Sequence, residues 1–345
     1  MGNEKKLEAI GFYTLSDERA RTASEISPLY RAEMLLTDAC NFRCPYCRGL
    51  RSDCAGSIGL PDAMNTLDQW IALGLKNVRF SGGEPTLYTG LIDLVEKCWL
   101  GGVERIAIST NGSADEMFYN ELIDAGVNDF SISLDGCCAA IGDQMAGGIN
   151  GSWEKVVSNI RLISSRVYTT VGMVFNEVNV DQCIESILFA DSLGVADIRV
   201  MPSAQYNRAL GMLLTLPDAV MDNHPILRYR IGNLMSGIHV RGLSTGDCGK
   251  CYLVLDDIAV AGGSGELMFF PCVIYLREGG EPIGTVGPDM RREMAEWVDR
   301  HNSFTDPICR SNCLDICRAY NNAAKREKEK EESKWINESK KSAKH

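Results

Sequence analysis

Cys40-Asn41-Phe42-Arg43-Cys44-Pro45-Tyr46-Cys47 follows the apolar run Met34-Leu35-Leu36, and the reading of the whole chain starts from it. Its cysteines stand with three and then two residues between them, close enough to turn inward on one metal centre. Iron–sulfur clusters are held by such thiolates. A fully ligated cubane takes four, so three leave one iron open unless a distant cysteine fills it. An open iron can bind a substrate or cosubstrate, which points to catalysis more than to passive electron storage. The competing reading is a structural zinc knot, since short cysteine spacings also serve zinc. Zinc needs a fourth ligand close by, and Cys54 is the only nearby thiol.

The cysteine spacing, with an aromatic residue just before the third cysteine, resembles the radical S-adenosylmethionine (radical SAM) superfamily, and Tyr46 supplies the aromatic. The resemblance implies a [4Fe–4S] cluster on Cys40, Cys44 and Cys47 whose open iron chelates the amino and carboxylate groups of S-adenosylmethionine. One electron then cleaves that molecule to methionine and a 5′-deoxyadenosyl radical.

With 345 residues, 45% of them hydrophobic, the chain can bury a large core and fits one to two domains. No apolar run approaches the length that spans a bilayer. Met1-Gly2-Asn3-Glu4-Lys5-Lys6 leads into no signal-peptide core, and Lys6 spoils a myristoylation match, so a cytoplasmic protein without a membrane partner is expected. Fourteen cysteines in that setting argue for metal or thiol chemistry over a disulfide framework. A net charge of −11 weighs against general nucleic-acid binding, which leaves a basic footprint.

Residues 1–30 read as a polar N-terminal extension. From Arg31, β-rich runs at about 31–38, 77–82, 103–110, 128–135, 168–175 and 197–202 alternate with amphipathic segments. Those segments are Ala63–Leu75, Leu91–Leu100, Glu116–Ala125, Trp153–Ile163 and Cys183–Leu193. Such alternation implies βαβ units and a parallel sheet. The resemblance supplies a partial (β/α)6 barrel over 31–205, a TIM-type α/β fold, although alternation alone equally allows a doubly wound open sheet. Residues 206–239 read as a helical connection and 240–320 as a cysteine-rich auxiliary domain. Within it a hairpin is expected at Tyr252–Val260 and Glu266–Phe270, and a helix near 289–300. Residues 321–345, rich in lysine and glutamate, read as a solvated helix or a disordered tail.

In barrels of this kind the active site forms at the C-terminal strand ends. The second strand ends in Ser81-Gly82-Gly83-Glu84-Pro85, where two glycines allow close backbone approach to a ligand. This matches the superfamily's Gly-Gly-Glu motif, which the resemblance assigns to the methionine amino group. The third strand ends with Ser109 and Asn111; on the fourth, alternation puts Ser131, Ser133 and Asp135 on one face. By resemblance these two strands hold ribose or carboxylate, while Asn176 after the fifth strand and Arg199 and Met201 on the sixth meet ribose and adenine. For each residue taken singly, a capped turn or a satisfied polar group is an equal reading. Relatives that modify peptides often carry His-Asp and Arg-Gly after the fourth strand. Here Gly142-Asp143-Gln144-Met145-Ala146-Gly147-Gly148 lacks the arginine, and Arg199 is a candidate for neutralising the methionine carboxylate.

Beyond the barrel lie Cys248, Cys251, Cys272, Cys309, Cys313 and Cys317. The first three flank the hairpin. The last three are four apart, which on one helix would align them along a face about 5–6 Å apart at Cβ. This resembles the SPASM and twitch extensions of radical SAM enzymes, which bind auxiliary [4Fe–4S] clusters. Six ligands exceed one cluster and fall short of two, so at least one auxiliary cluster is expected, and a four-thiolate zinc is the competing reading. The GTP cyclase of molybdenum-cofactor synthesis shares a Cys-x2-Cys pair and a third cysteine here, but follows the pair with Asn-Arg-x-Arg and ends in Gly-Gly. This chain has Tyr252-Leu253-Val254-Leu255 and ends in Ala343-Lys344-His345, so a triphosphate would lack those charge partners.

Cys137 and Cys138 follow the fourth strand, where a thiol can donate a hydrogen atom to a substrate radical as in radical SAM epimerases, or act as a small hydrophobe in a turn. Cys98 and Cys183 fall on helix stripes and read as core, and no histidine has a ligand-like spacing. The expected activity is hydrogen abstraction from a peptide or protein leading to epimerisation or crosslinking, with a flavodoxin- or ferredoxin-type electron donor. The alternatives are rearrangement or dehydrogenation of a small molecule or nucleoside, and a non-catalytic iron–sulfur carrier or sensor.

Overall fold

The structure is a computed structural model that describes residues 17–50, 52–202, 208–262 and 266–342. After α1 (Asp17–Thr22), β1 (Arg31–Thr37) sends Ala32, Met34 and Leu36 into the main hydrophobic core. Period-two geometry puts Arg31, Glu33 and Thr37 on the opposite face. The alternation repeats in β2 (Asn77–Gly82), β3 (Arg105–Thr110), β4 (Asp129–Ser133), β5 (Tyr168–Phe175) and β6 (Asp197–Pro202). Val78, Phe80, Ile106, Ile108, Phe130 and Ile132 join the same core, while Arg79, Ser81, Ser109 and Ser131 fall on the other face. A parallel sheet packed on both faces reads as continuous apolar runs. This one is apolar on one face because its other face lines a cavity.

The six strands pair in sequence order and are all parallel. A doubly wound sheet reverses strand order at a switch point, so the sequential order selects the partial barrel. Helices α2 (Leu60–Ala72), α3 (Leu91–Leu100), α4 (Glu116–Ala125), α5 (Ala139–Met145), α6 (Ser152–Ser164) and α7 (Cys183–Ser192) connect the strands. The helical connection is α8 (Arg208–Leu213), α9 (Asp218–Asn223) and α10 (Pro225–Met235). Residues 1–16 and the expected boundary at 205 lie outside the described residues.

The cysteine-rich part continues the barrel's own sheet. β7 (Asp257–Ala261) runs parallel to β1, matching Arg31 with Asp257 and Leu35 with Ala261. β8 (Met268–Phe270) is antiparallel to β7, so the hairpin forms, but a 3₁₀ turn occupies Tyr252–Leu255 and its first strand begins only at Asp257. The loop Gly263-Ser264-Gly265 lies outside the described residues. After α11 (Val273–Arg277), β9 (Gly284–Thr285) completes a sheet of nine strands among the described residues.

After α12 (Met290–Arg300), the expected single helical face for Cys309, Cys313 and Cys317 is not formed. Asp306 caps α13 (Pro307–Asn312), accepting from the N–H groups of Ile308 and Cys309 at 2.8 and 2.9 Å. That helix stops at Cys313, whose ψ of 129° is extended. A new helix, α14 (Asp315–Ser342), begins where Asp315 accepts from its neighbour Ile316 and pairs with Arg230 at 2.9 Å, both distances alike. Two aspartate start signals therefore divide what cysteine spacing alone reads as one helix. The charged C-terminal stretch is helical through Ser342.

Candidate active site

The strand ends open into a cavity of about 670 Å³ lined by Cys40, Cys44 and Cys47 and also by Val273, Ile274 and Arg277 of α11. The cysteine loop is held from several directions. Arg43 N–H donates to Ala146 O at 2.9 Å, and the Arg43 side chain donates to the carbonyls of Cys40 and Phe42 at 2.6 and 2.9 Å. Phe42 N–H and Gly49 N–H each approach a thiol, those of Cys40 and Cys47, at 3.4 Å. Burial pushes the Cys40 thiol up and Cys44 up to about 12. Left as free thiols they would stay protonated, whereas metal coordination deprotonates them. Three thiols facing one cavity, two of them met by amide donors, fit a cluster with an open iron.

Gly82 and Gly83 line the cavity, and both are also required by close backbone packing. A Cβ on Gly83 would stand 2.3 Å from Ala39 O and 2.6 Å from Asp38 O, and one on Gly82 would stand 2.4 Å from Thr37 O. The glycines let β2 press against the backbone leading to Cys40. Gly82 O accepts from Arg277 at 3.0 Å. Glu84 is fully buried and does not line the cavity. Its carboxylate accepts from Thr86 N–H at 3.1 Å, from the Thr86 and Thr110 hydroxyls at 2.7 Å, and from Asn111 N–H at 2.7 Å. It ties the ends of β2 and β3 together.

Tyr46 and Asp135 both line the cavity and bond to each other, the phenol donating to the carboxylate. Val174 N–H donates to the other Asp135 oxygen at 2.7 Å, and burial pushes Asp135 up to about 6. Asn179, which sequence reasoning missed, donates to the carbonyls of Asp135 and Val174, both at 2.8 Å. Ser109, Asn111, Ser133, Arg199 and Met201 also line the cavity. Arg199 donates to Ser131, and Arg79 to Ser109, each at 3.2 Å. Asn176 does not reach the cavity: its side-chain oxygen accepts from Val178 N–H at 2.8 Å, closing its own turn. Cys137 and Cys138 are not among the lining residues; Cys138 stands at the start of α5 and Cys137 lies beside Ser186. Cys98 and Cys183 are core residues.

The same cavity has a cationic lining. Arg48, Arg230, Arg241 and Arg277 line the cavity with Glu278. Arg48 pairs with Glu278, Arg241 lies 3.9 Å from the same carboxylate, and Arg230 pairs with Asp315. Arg277 donates to Gly49 O at 3.2 Å as well as to Gly82 O. These arginines come from separate elements, so no sequence spacing links them.

Of the distal thiols, Cys251, Cys272, Cys309, Cys313 and Cys317 gather within electrostatic reach of one another. Burial first, and then mutual repulsion, pushes them up, Cys251 to about 12; burial chiefly raises Cys272, to about 11. Asn321 and Asn322 of α14 clamp the first pair: Asn321 lies 3.7 Å from the Cys251 sulfur, and Cys248 N–H donates to Asn322 at 2.7 Å. Cys248 lies at the edge of the group.

Residues 34–190 match the radical SAM superfamily, so the barrel of this chain is a radical SAM domain. That family uses a [4Fe–4S] cluster with S-adenosylmethionine. The chain is 37% identical over 110 residues to GTP 3′,8-cyclase of Synechococcus elongatus, covering 30% of this chain and 34% of the relative. It is 31% identical over 188 residues to that of Staphylococcus saprophyticus, covering 52% and 51%. The matches thus span about half or less of those relatives. In fold it is similar to Streptococcus suis SuiB bound to S-adenosylmethionine, with a TM-score of 0.55, 15% identity, and coverage of 79% of this chain and 66% of SuiB. It is similar also to anSMEcpe with bound AdoMet, with a TM-score of 0.55, 14% identity and coverage of 87% and 95%. Among the described residues no helix is long and apolar enough to cross a membrane.

Proposed function

We propose that this chain is a radical SAM enzyme that abstracts a hydrogen atom from a small anionic substrate. One observation carries the substrate class: three guanidiniums, Arg48, Arg241 and Arg277, line the same cavity as the cysteine loop, with Glu278 the carboxylate that Arg48 and Arg241 share. When bound, the cluster on Cys40, Cys44 and Cys47 and S-adenosylmethionine supply one-electron reductive chemistry at the open iron. The protein's own residues orient and enclose. Tyr46 and Asp135 hold the cysteine loop to the end of β4, Glu84 fixes the loops beside it, and Arg199 presents a positive charge to the methionine carboxylate. Guanidiniums suit phosphate or carboxylate groups because their donors form a planar fork. They stand in for the Asn-Arg-x-Arg stretch that this sequence lacks, and the relatives named GTP 3′,8-cyclase suggest a nucleotide as the first candidate.

Distal cysteines of SPASM or twitch type would hold an auxiliary [4Fe–4S] cluster beside the same lining, bringing it close to substrate. The enzyme would work in the cytosol, where thiols stay reduced, with a flavodoxin- or ferredoxin-type donor. Peptide modification is the second reading: the fold is similar to that of SuiB solved with its precursor peptide SuiA, at 15% identity. Anaerobic reconstitution followed by chromatography for 5′-deoxyadenosine tests the enzyme reading. Formation that Cys44→Ala abolishes supports it; equal traces with both proteins remove its basis. Titration with nucleoside triphosphates and with short peptides, at low and high salt, decides the substrate class. Salt-sensitive triphosphate binding lost in Arg241→Ala is expected, and salt-insensitive binding of peptide alone would overturn the anionic reading.

A further inference from the structure

Outside the cavity, the ligand atoms of His301, Asp306 and Cys309 all lie within 4.8 Å of one another, the one such set of three among the described residues. Each is held from behind. The His301 ring stacks on Trp297 with centroids 3.9 Å apart and meets the Tyr275 ring edge-on at 6.4 Å. Its Nε2 is buried without a hydrogen-bond partner. Asp306 is fixed by the N–H groups of Ile308 and Cys309 on one oxygen and by the Tyr275 hydroxyl, at 2.8 Å, on the other. An oxygen that accepts one such bond retains a second lone pair.

Cys309 adjoins the other distal thiols: the charges acting on it come from Cys251 and Cys272 and then from Asp306. A mixed nitrogen, oxygen and sulfur donor set suits zinc, while a cubane takes thiolates. Outer partners that orient a ligating imidazole or carboxylate, as Trp297, Tyr275 and the α13 amides do here, are typical of built metal sites.

We propose that His301, Asp306 and Cys309 hold a divalent metal ion, zinc by its donor chemistry, at a site that adjoins the auxiliary-cluster thiols. The ion joins the end of α12 to the start of α13 and leaves four central thiols, Cys251, Cys272, Cys313 and Cys317, for the cluster, with Cys248 at its edge. Six distal cysteines then no longer need to be divided between one cubane and two.

The full chain, reconstituted anaerobically with iron and sulfide and given one equivalent of zinc before desalting, tests this by elemental analysis and zinc-edge X-ray absorption. About one zinc per chain is expected, with a single sulfur at about 2.3 Å and nitrogen or oxygen neighbours at about 2.0–2.2 Å. His301→Gln and Asp306→Asn should each lose the zinc and keep the wild-type iron content. Asparagine still caps a helix, so loss in Asp306→Asn with unchanged circular dichroism is not a folding failure. Wild-type protein without zinc, zinc surrounded by four sulfurs, or iron lost in place of zinc from His301→Gln would each overturn the proposal, the last by making His301 a cluster ligand.

Discussion

Glu84 faces the protein, and both of its oxygens accept a backbone N–H, from Thr86 and from Asn111. In Glu84→Gln either orientation of the amide sets an NH2 group against a buried donor. Leaving such groups unsatisfied costs about 1–3 kcal/mol, so denaturant unfolding of the cluster-free variant should show a loss of that size. Asp135 carries a pH dependence. Its carboxyl is raised by burial from 3.8 to about 6 in the folded protein. The native state therefore keeps a proton that the unfolded chain releases, so this contribution is full below pH ~4 and is lost as the pH rises through ~6, a change of about 3 kcal/mol. Asp135→Asn has no such group to titrate. Between pH 4.5 and 7.5 the cluster-free variant should gain stability relative to wild type by up to that amount, and a pH-independent difference would assign the titration elsewhere.

The turn after β2 sets the position of the cysteine loop. In Gly83→Ala the new Cβ meets two backbone carbonyls, those of Asp38 and Ala39, which have no rotamer with which to yield. Such overpacking costs about 1–3 kcal/mol, and the strain falls directly before Cys40. Reconstituted Gly83→Ala should lose the iron of the barrel cluster while keeping that of the distal cysteines, as resolved by iron content and electron paramagnetic resonance. Elements of this kind differ in how far the sequence displays them. The six barrel strands are legible because their alternating burial leaves a period-two pattern, and β5 holds its expected bounds of Tyr168–Phe175. α5 and α11, with 7 and 5 residues, are too short to show a helical period. The break between Cys309 and Cys317 depends partly on Asp315 meeting Arg230, 85 residues away, which spacing cannot reveal. Cysteines and strand-end serines are legible because neighbours in sequence act together. Arg48, Arg241 and Arg277 are not, because only the folded chain brings them to one cavity.

At the scale of the molecule, β1 is an interior strand, flanked by β2 and β7. A chain ending at Val240 would leave its hydrogen-bonding edge open beside an apolar core, and such edges pair with other chains. That shortened protein should aggregate in size-exclusion and light-scattering measurements, and a soluble monomer with native circular dichroism would show that β7 is dispensable. The same placement governs how the protein is made. Arg31 must wait for Asp257, 226 residues later in the chain. At synthesis rates of 5–20 residues per second that is roughly 10–50 s, during which the barrel's first strand emerges with one neighbour missing. Arg31 and Glu33, charged residues on that strand, are the kind that discourage wrong pairing at an open edge. Slow translation through the distal cysteines would lengthen the vulnerable interval, and a nascent-chain chaperone would have its greatest effect before residue 261 leaves the ribosome.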